Sequence, residues 1–111
     1  MEPTMTIDET NIYATLHRAI ENRNVVSFSY QENSEKKPIT IMVEPYLIGV
    51  EKETNVFTLK AWDLEEMTRD EWKCYFLKNI SNIIIKEKVF TGERLRYNRN
   101  DDSFYAIISH I

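Results

Sequence analysis

The sequence predicts a mainly β fold: a small, strongly bent five-stranded barrel with one N-terminal helix packed across it. Three observations predict it. Two runs, Ile39–Val50 and Val56–Trp62, are rich in β-branched and aromatic residues and alternate with period two. The charged stretch Glu51–Asn55 joins them, so they read as one long antiparallel hairpin. Ahead of them, Ile12, Leu16, Ala19 and Ile20 recur at helical spacing. At 111 residues the chain is expected to be a single domain, 1–111, with a modest core.

Met1–Met5 is expected to be disordered. Thr6 and Glu9 have the spacing of a capping box, which starts a helix over about 7–22. Asn22-Arg23-Asn24 offers residues that tolerate a left-handed stop. Val25–Gln31 alternates as the first strand, with Val26, Phe28 and Tyr30 on one face. Within the hairpin, Pro45 cannot donate to a ladder, so it marks a bend, a bulge or an edge. Leu64–Asp70 reads as a polar connection and Glu71–Leu77 as a strand, with Lys73, Tyr75 and Leu77 on one face. Lys78–Asn82 reads as a turn, with room for one turn of 3₁₀ helix, and Ile83–Phe90 as the fifth strand. The barrel thus spans about 24–90. In the C-terminal extension, 91–111, Gly92–Asp102 reads as a loop. Phe104–Ile111 is a sixth strand or a short helix, and its length favours a strand. The expected core is Ile12, Leu16, Ala19, Ile20, Val26, Phe28, Ile41, Val43, Phe57, Leu59, Ala61, Leu77, Ile83 and Ile85.

Composition narrows the function classes. No apolar run reaches the ~18–20 residues of a membrane-spanning helix. Cys74 is the single cysteine, so an internal disulfide is impossible and a reducing cytoplasm is the expected compartment. Its strand position predicts a buried, inert thiol. Two scattered histidines and one cysteine predict no metal site. No phosphate loop, nucleophile elbow or paired acid is present, so the chain is expected to be non-catalytic and to need no cofactor. A net charge of −4 argues against nucleic-acid binding by the whole surface. The charge is uneven, however. Asp63–Glu71 holds five acids and one base, whereas Trp72–Arg99 holds seven bases and two acids.

Four segments occur in an order similar to that of the WYL domain, an Sm-like small β-barrel of bacterial regulators. They are Leu16-His17-Arg18-Ala19-Ile20 before Val25–Tyr30, Val43-Glu44-Pro45-Tyr46-Leu47, Phe57–Asp63, and Lys73–Ile80. The resemblance covers about Tyr13–Phe90. Phe57-Thr58-Leu59 stands where the family has Trp-Tyr-Leu. Lys73 and Asn79 stand where it has two arginines. The resemblance implies a ligand-sensing regulatory module, binding a nucleotide-like ligand, nucleic acid or a partner protein, and here a stand-alone one.

On that basis the candidate ligand-binding residues are Lys73, Tyr75, Asn79, Thr58 and Trp62. Lys73 could meet a phosphate as a point charge; otherwise it is a solvated edge lysine. Asn79 could bond a base or sugar, or simply serve a turn. Trp62, like Trp72, could stack a base, or form half-buried barrel surface. Thr58 could equally be a plain strand residue. An alternative is a single-strand nucleic-acid surface built from Lys78, Arg94, Arg96 and Arg99, since nothing in the sequence requires three arginines in that loop. A third reading is a protein-interaction module in which the terminal apolar strand pairs with a second copy, giving a homodimer.

Overall fold

The structure is a computed structural model and describes residues 3–64 and 72–111. The chain begins with α1, Ile7–Asn22. Thr6 and Glu9 form the expected capping box: Thr6 Oγ1 accepts the Glu9 N–H and Glu9 Oε1 accepts the Thr6 N–H, both at 3.0 Å. Two orphan amide groups of the first turn are satisfied in this way. At the other end Arg23 takes a left-handed conformation (φ 55°) and returns its N–H to Ala19 and Ile20.

Six strands follow: β1 (Asn24–Tyr30), β2 (Ile39–Glu51), β3 (Phe57–Asp63), β4 (Trp72–Phe76), β5 (Ile80–Val89) and β6 (Phe104–His110). One 3₁₀ turn, Leu77–Asn79, joins β4 to β5. The sheet is antiparallel with order β4-β3-β2-β1-β5, and β6 pairs with β2. The fifth strand starts three residues earlier than the pattern suggests, because Ile80 already pairs with Tyr30. The expected connection over 65–70 and the strand start at Glu71 lie outside the described residues.

The mainly β class with one N-terminal helix is as expected, but the sheet is not closed into a barrel. No ladder joins β4 to β5. The 3₁₀ turn carries the chain from the edge beside β3 to the edge beside β1, so these two strands follow one another and do not pair. Single bonds tie β4 and the 3₁₀ turn to the end of β1 and the residues after it. The Phe76 N–H donates to the Tyr30 hydroxyl at 3.0 Å, and the Gln31 N–H donates to Asn79 O at 3.2 Å.

Pro45 does mark a bulge. It pairs with Ala61, whereas Leu47 pairs with Lys60, leaving Tyr46 as the extra residue. The bulge bends β2 and lets it serve different neighbours along its length. Before it, Ile39–Val43 pair with β1; beyond it, Leu47–Glu51 pair with β6. β3 runs along the opposite side from Val43 to Val50, so β1 and β6 share one side of β2. The apolar tail therefore adds to an open edge within its own chain.

Two packed clusters result. The inner one lies between α1 and the sheet and contains Leu16, Ala19, Ile20, Val26, Phe28, Val43, Ile48, Leu59, Ala61, Tyr75 and Leu77. Ile12, Ile83 and Ile85, expected in the core, are only partly buried at its margin. The outer one is aromatic. Val25, Tyr46 and Phe90 are buried there, with Trp62, Trp72 and Tyr97 packed against them. The extension covers this second face, so every residue from Val43 to Val50 is buried. Cys74 is exposed, not the buried thiol the sequence suggested. Tyr75 and Leu77 take the inward positions, and alternation turns Cys74 the other way. Neighbouring groups still desolvate the thiol enough to raise its pKa.

Candidate ligand-binding groove

Alternation along β4 places Lys73 and Tyr75 on the side that faces β1 and the turn after it. With Asp63 at the end of β3, Tyr30 at the end of β1, and Glu32, Lys36, Lys37, Ile39 and Ile41 beyond, they line an open groove of about 400 Å³. That size is within the range of small-molecule sites.

The floor is aromatic and fixed. Tyr75 meets Phe28 and Tyr30 edge-on, with ring centroids 5.3 Å and 5.1 Å away. The Tyr75 hydroxyl donates to Asp63 Oδ2 at 3.0 Å. Burial, followed by the nearby Asp63 carboxylate, pushes the Tyr75 pKa far up, so the phenol stays protonated and remains a donor. The Tyr30 hydroxyl, by accepting from Phe76, holds β4 against β1. Neither phenol needs a ligand to keep its position.

The mouth gathers three lysines, with Glu32 and Asp63 beside them. Lys36 Nζ lies 2.8 Å from Glu32 Oε2 in an exposed pair. The hydrogen bond and charge of each partner lower the Glu32 pKa and raise that of Lys36. Lys37 makes no ion pair among the described residues. Lys73, half-buried, completes the set.

The five residues singled out from the sequence do not form one site. Lys73 and Tyr75 meet in the groove. Asn79 lies in the 3₁₀ turn and donates from Nδ2 to Glu32 O at 3.5 Å, steadying the groove's turn from behind. Thr58 is fully buried on the other face of β3, where its hydroxyl donates to Val56 O at 2.8 Å. Trp62 belongs to the outer aromatic cluster, 5.3 Å from Trp72.

The basic segment also divides. Arg94 grips the buried Glu44 in bidentate fashion, with Nε and a terminal nitrogen each 2.8 Å from a carboxylate oxygen. Its guanidinium lies 5.0 Å from the centre of the Trp62 ring. Its backbone N–H donates to the Tyr46 hydroxyl at 3.2 Å, and that phenol lies 3.3 Å from Glu44 Oε1. Burial and Glu44 raise the Tyr46 pKa to about 12. The loop that looked solvated thus has a packing reason for one of its three arginines. Arg99 pairs with Glu93 at 3.2 Å in the open. Arg96 is exposed with a left-handed backbone (φ 68°), and Lys78 sits over the Phe76 ring.

Sequence reasoning missed Tyr30, Lys36, Lys37, Asp63 and Glu44. The pair Lys36-Lys37 was visible as a charged turn, but its approach to β4 depends on sheet curvature. Among the described residues no group of three His, Cys, Asp or Glu could hold a metal. Among the same residues no helix is long and apolar enough to cross a membrane.

A comparison with curated proteins found no match. Among solved structures the chain is similar to the Proteasome accessory factor B/C (PafBC) of Arthrobacter aurescens, with a TM-score of 0.66 and 10% identity. That likeness covers 80% of this chain and 13% of the other, so it concerns the fold of one small part of PafBC. The WYL domain family matches residues 11–85, from the second turn of α1 through the middle of β5. Fold, order of segments and family match agree, and this chain belongs to the WYL domain family.

Proposed function

We propose that this chain is a non-catalytic regulatory module that binds a small anionic, nucleotide-like ligand in the groove between β4 and the β1–β2 turn. The observation that carries the reading is Lys36, Lys37 and Lys73 gathered at the mouth of a groove floored by Tyr30 and Tyr75. The lysines suit a phosphate as point charges, and Ile39 and Ile41 suit an apolar ring. The family's regulatory character supports a role in transcriptional or defence regulation in the cytoplasm. The rival single-strand surface draws less from the geometry, because Glu44 and Glu93 take up much of the charge of Arg94 and Arg99.

Thermal shift with nucleoside monophosphates, inorganic phosphate and short oligonucleotides tests the proposal. A ligand that binds only the native state raises the melting temperature. Lys37→Ala and Lys73→Ala should each weaken binding by roughly 5- to 10-fold, about the worth of one charge-assisted contact. Lys37→Ala should leave the melting temperature of the free protein nearly unchanged, since Lys37 makes no ion pair among the described residues. Equal binding by both variants and wild type would remove the groove as the site.

A further inference from the structure

Among the described residues, each strand but one has its edges occupied or is short. β6 pairs with β2, and its other side meets α1, where the Tyr13 hydroxyl donates to Ile108 O at 3.2 Å and His17 Nδ1 lies 2.8 Å from Ser109 Oγ. β4 is five residues long, and Tyr30 takes one of its edge amides. β5 is ten residues long, ends the ladder, and pairs with β1 alone among the described residues. A long unpaired edge is a template for another strand. Here it carries an apolar centre, Ile83-Ile84-Ile85, with Ile84 56% exposed.

We propose that this edge joins two copies of the chain, β5 to β5, antiparallel about a two-fold axis at Ile84. A closed two-fold contact uses the same surface on both partners, so the strand must complement itself. In the register centred on Ile84, Ile84 faces Ile84 of the second copy, and Ile83 faces Ile85. Outward from there Asn82 faces Lys86, Ser81 faces Glu87, and Ile80 faces Lys88. No like charges meet. Registers centred on Lys86 or Glu87 set Lys86 against Lys86 or Glu87 against Glu87, at a cost in energy. Among the centres that avoid such clashes, Ile84 is the one that sets the exposed isoleucine against its own copy. It covers the exposed isoleucine and gives the unpaired edge of β5 a partner strand.

The test is sedimentation equilibrium of the full chain over graded concentrations, with Ile84→Lys beside it. Ile84 is exposed, so the lysine should not disturb the monomer, and its melting temperature at low concentration should match wild type. The wild type should self-associate to a dimer, and Ile84→Lys should move that association at least tenfold to higher concentration. Register is read separately in a Cys74→Ser background, which removes the exposed native thiol. Ile84→Cys should cross-link as a dimer under mild oxidant, whereas Val89→Cys should not. A wild type that stays monomeric at the highest concentration reached overturns the proposal. So does a dimer indifferent to Ile84→Lys, or cross-linking at position 89 but not at 84.

Discussion

The pair between Glu44 and Arg94 ties the extension to the sheet, and Arg94→Ala tests how firmly. Glu44 is 3% exposed. Without the guanidinium its carboxylate keeps only the Tyr46 hydroxyl, at 3.3 Å. Removing one partner of a buried pair typically costs about 3–5 kcal/mol, because a charge is left uncompensated. The Arg94 side chain, however, is 41% exposed, so water can reach the vacated place. The expected loss is therefore nearer 2–3 kcal/mol, which includes about 0.5–1 kcal/mol for its contact with Trp62. For a domain of this size that lowers the melting temperature by roughly 10–20 °C. Glu44→Gln in the same background should recover part of the loss, since an amide is less costly to bury than a charge. Calorimetry on the three variants and wild type decides. An Arg94→Ala protein melting within about 2 °C of wild type would show that the pair adds little, as exposed pairs do. The reading of the loop as a packed cover would then fall.

Two further outcomes follow from the same face. A methyl group at Gly49 would lie 2.3 Å from Ala106 O and 2.9 Å from the Phe104 ring; Gly49→Ala should cost at least about 1–3 kcal/mol by overpacking. Hydrogen exchange should show the loss first in β6, and unchanged β6 protection would count against this contact. Asp101 is held close to Lys60 and accepts from Ser103. Burial alone would raise its pKa, but the bonds from Lys60 and Ser103 outweigh it and set the value below the ordinary 3.8. A depressed folded-state pKa contributes stability above the unfolded value, and that stability is lost as pH falls through the folded one. Asp101→Asn should therefore cost stability at neutral pH and narrow its gap to wild type below about pH 4. A gap constant from pH 7 to pH 2 would rule out this account.

Local signals in the sequence carried far. The capping box of Thr6 and Glu9, the stop after Asn22, the bulge at Pro45 and the hairpin around Glu51–Asn55 each follow from residues close together in the chain. The β6 strand was legible because an apolar run needs cover. What the sequence hid depends on curvature. Tyr30 and Tyr75 stand 45 positions apart and meet only because the sheet bends, so the floor of the groove and the approach of Lys36 and Lys37 could not be read from periodicity. The second packed face was hidden for a related reason. Alternation assigns one face of β3 to solvent, yet Thr58, Lys60 and Trp62 lie beneath a loop whose composition looks solvated. Glu44 and Arg94 each read as ordinary surface charge until the loop brings them together across 50 positions.

The double service of β2 has a consequence for the order of events as the chain is made. β1 can dock on β2 once residue 43 is available, but the far half of the same side waits for residues 104–110. Until then Gly49, Val50 and the aromatic face around Tyr46 stand open, and they stay so until Arg94 and Tyr97 have followed. Pairings this distant form late and slowly, and a half-built sheet with a bare apolar edge is prone to capture by another chain. Closure of the sheet is thus gated by residues 92–111, and a ribosome paused shortly after β5 would present a half-built sheet with its aromatic face bare.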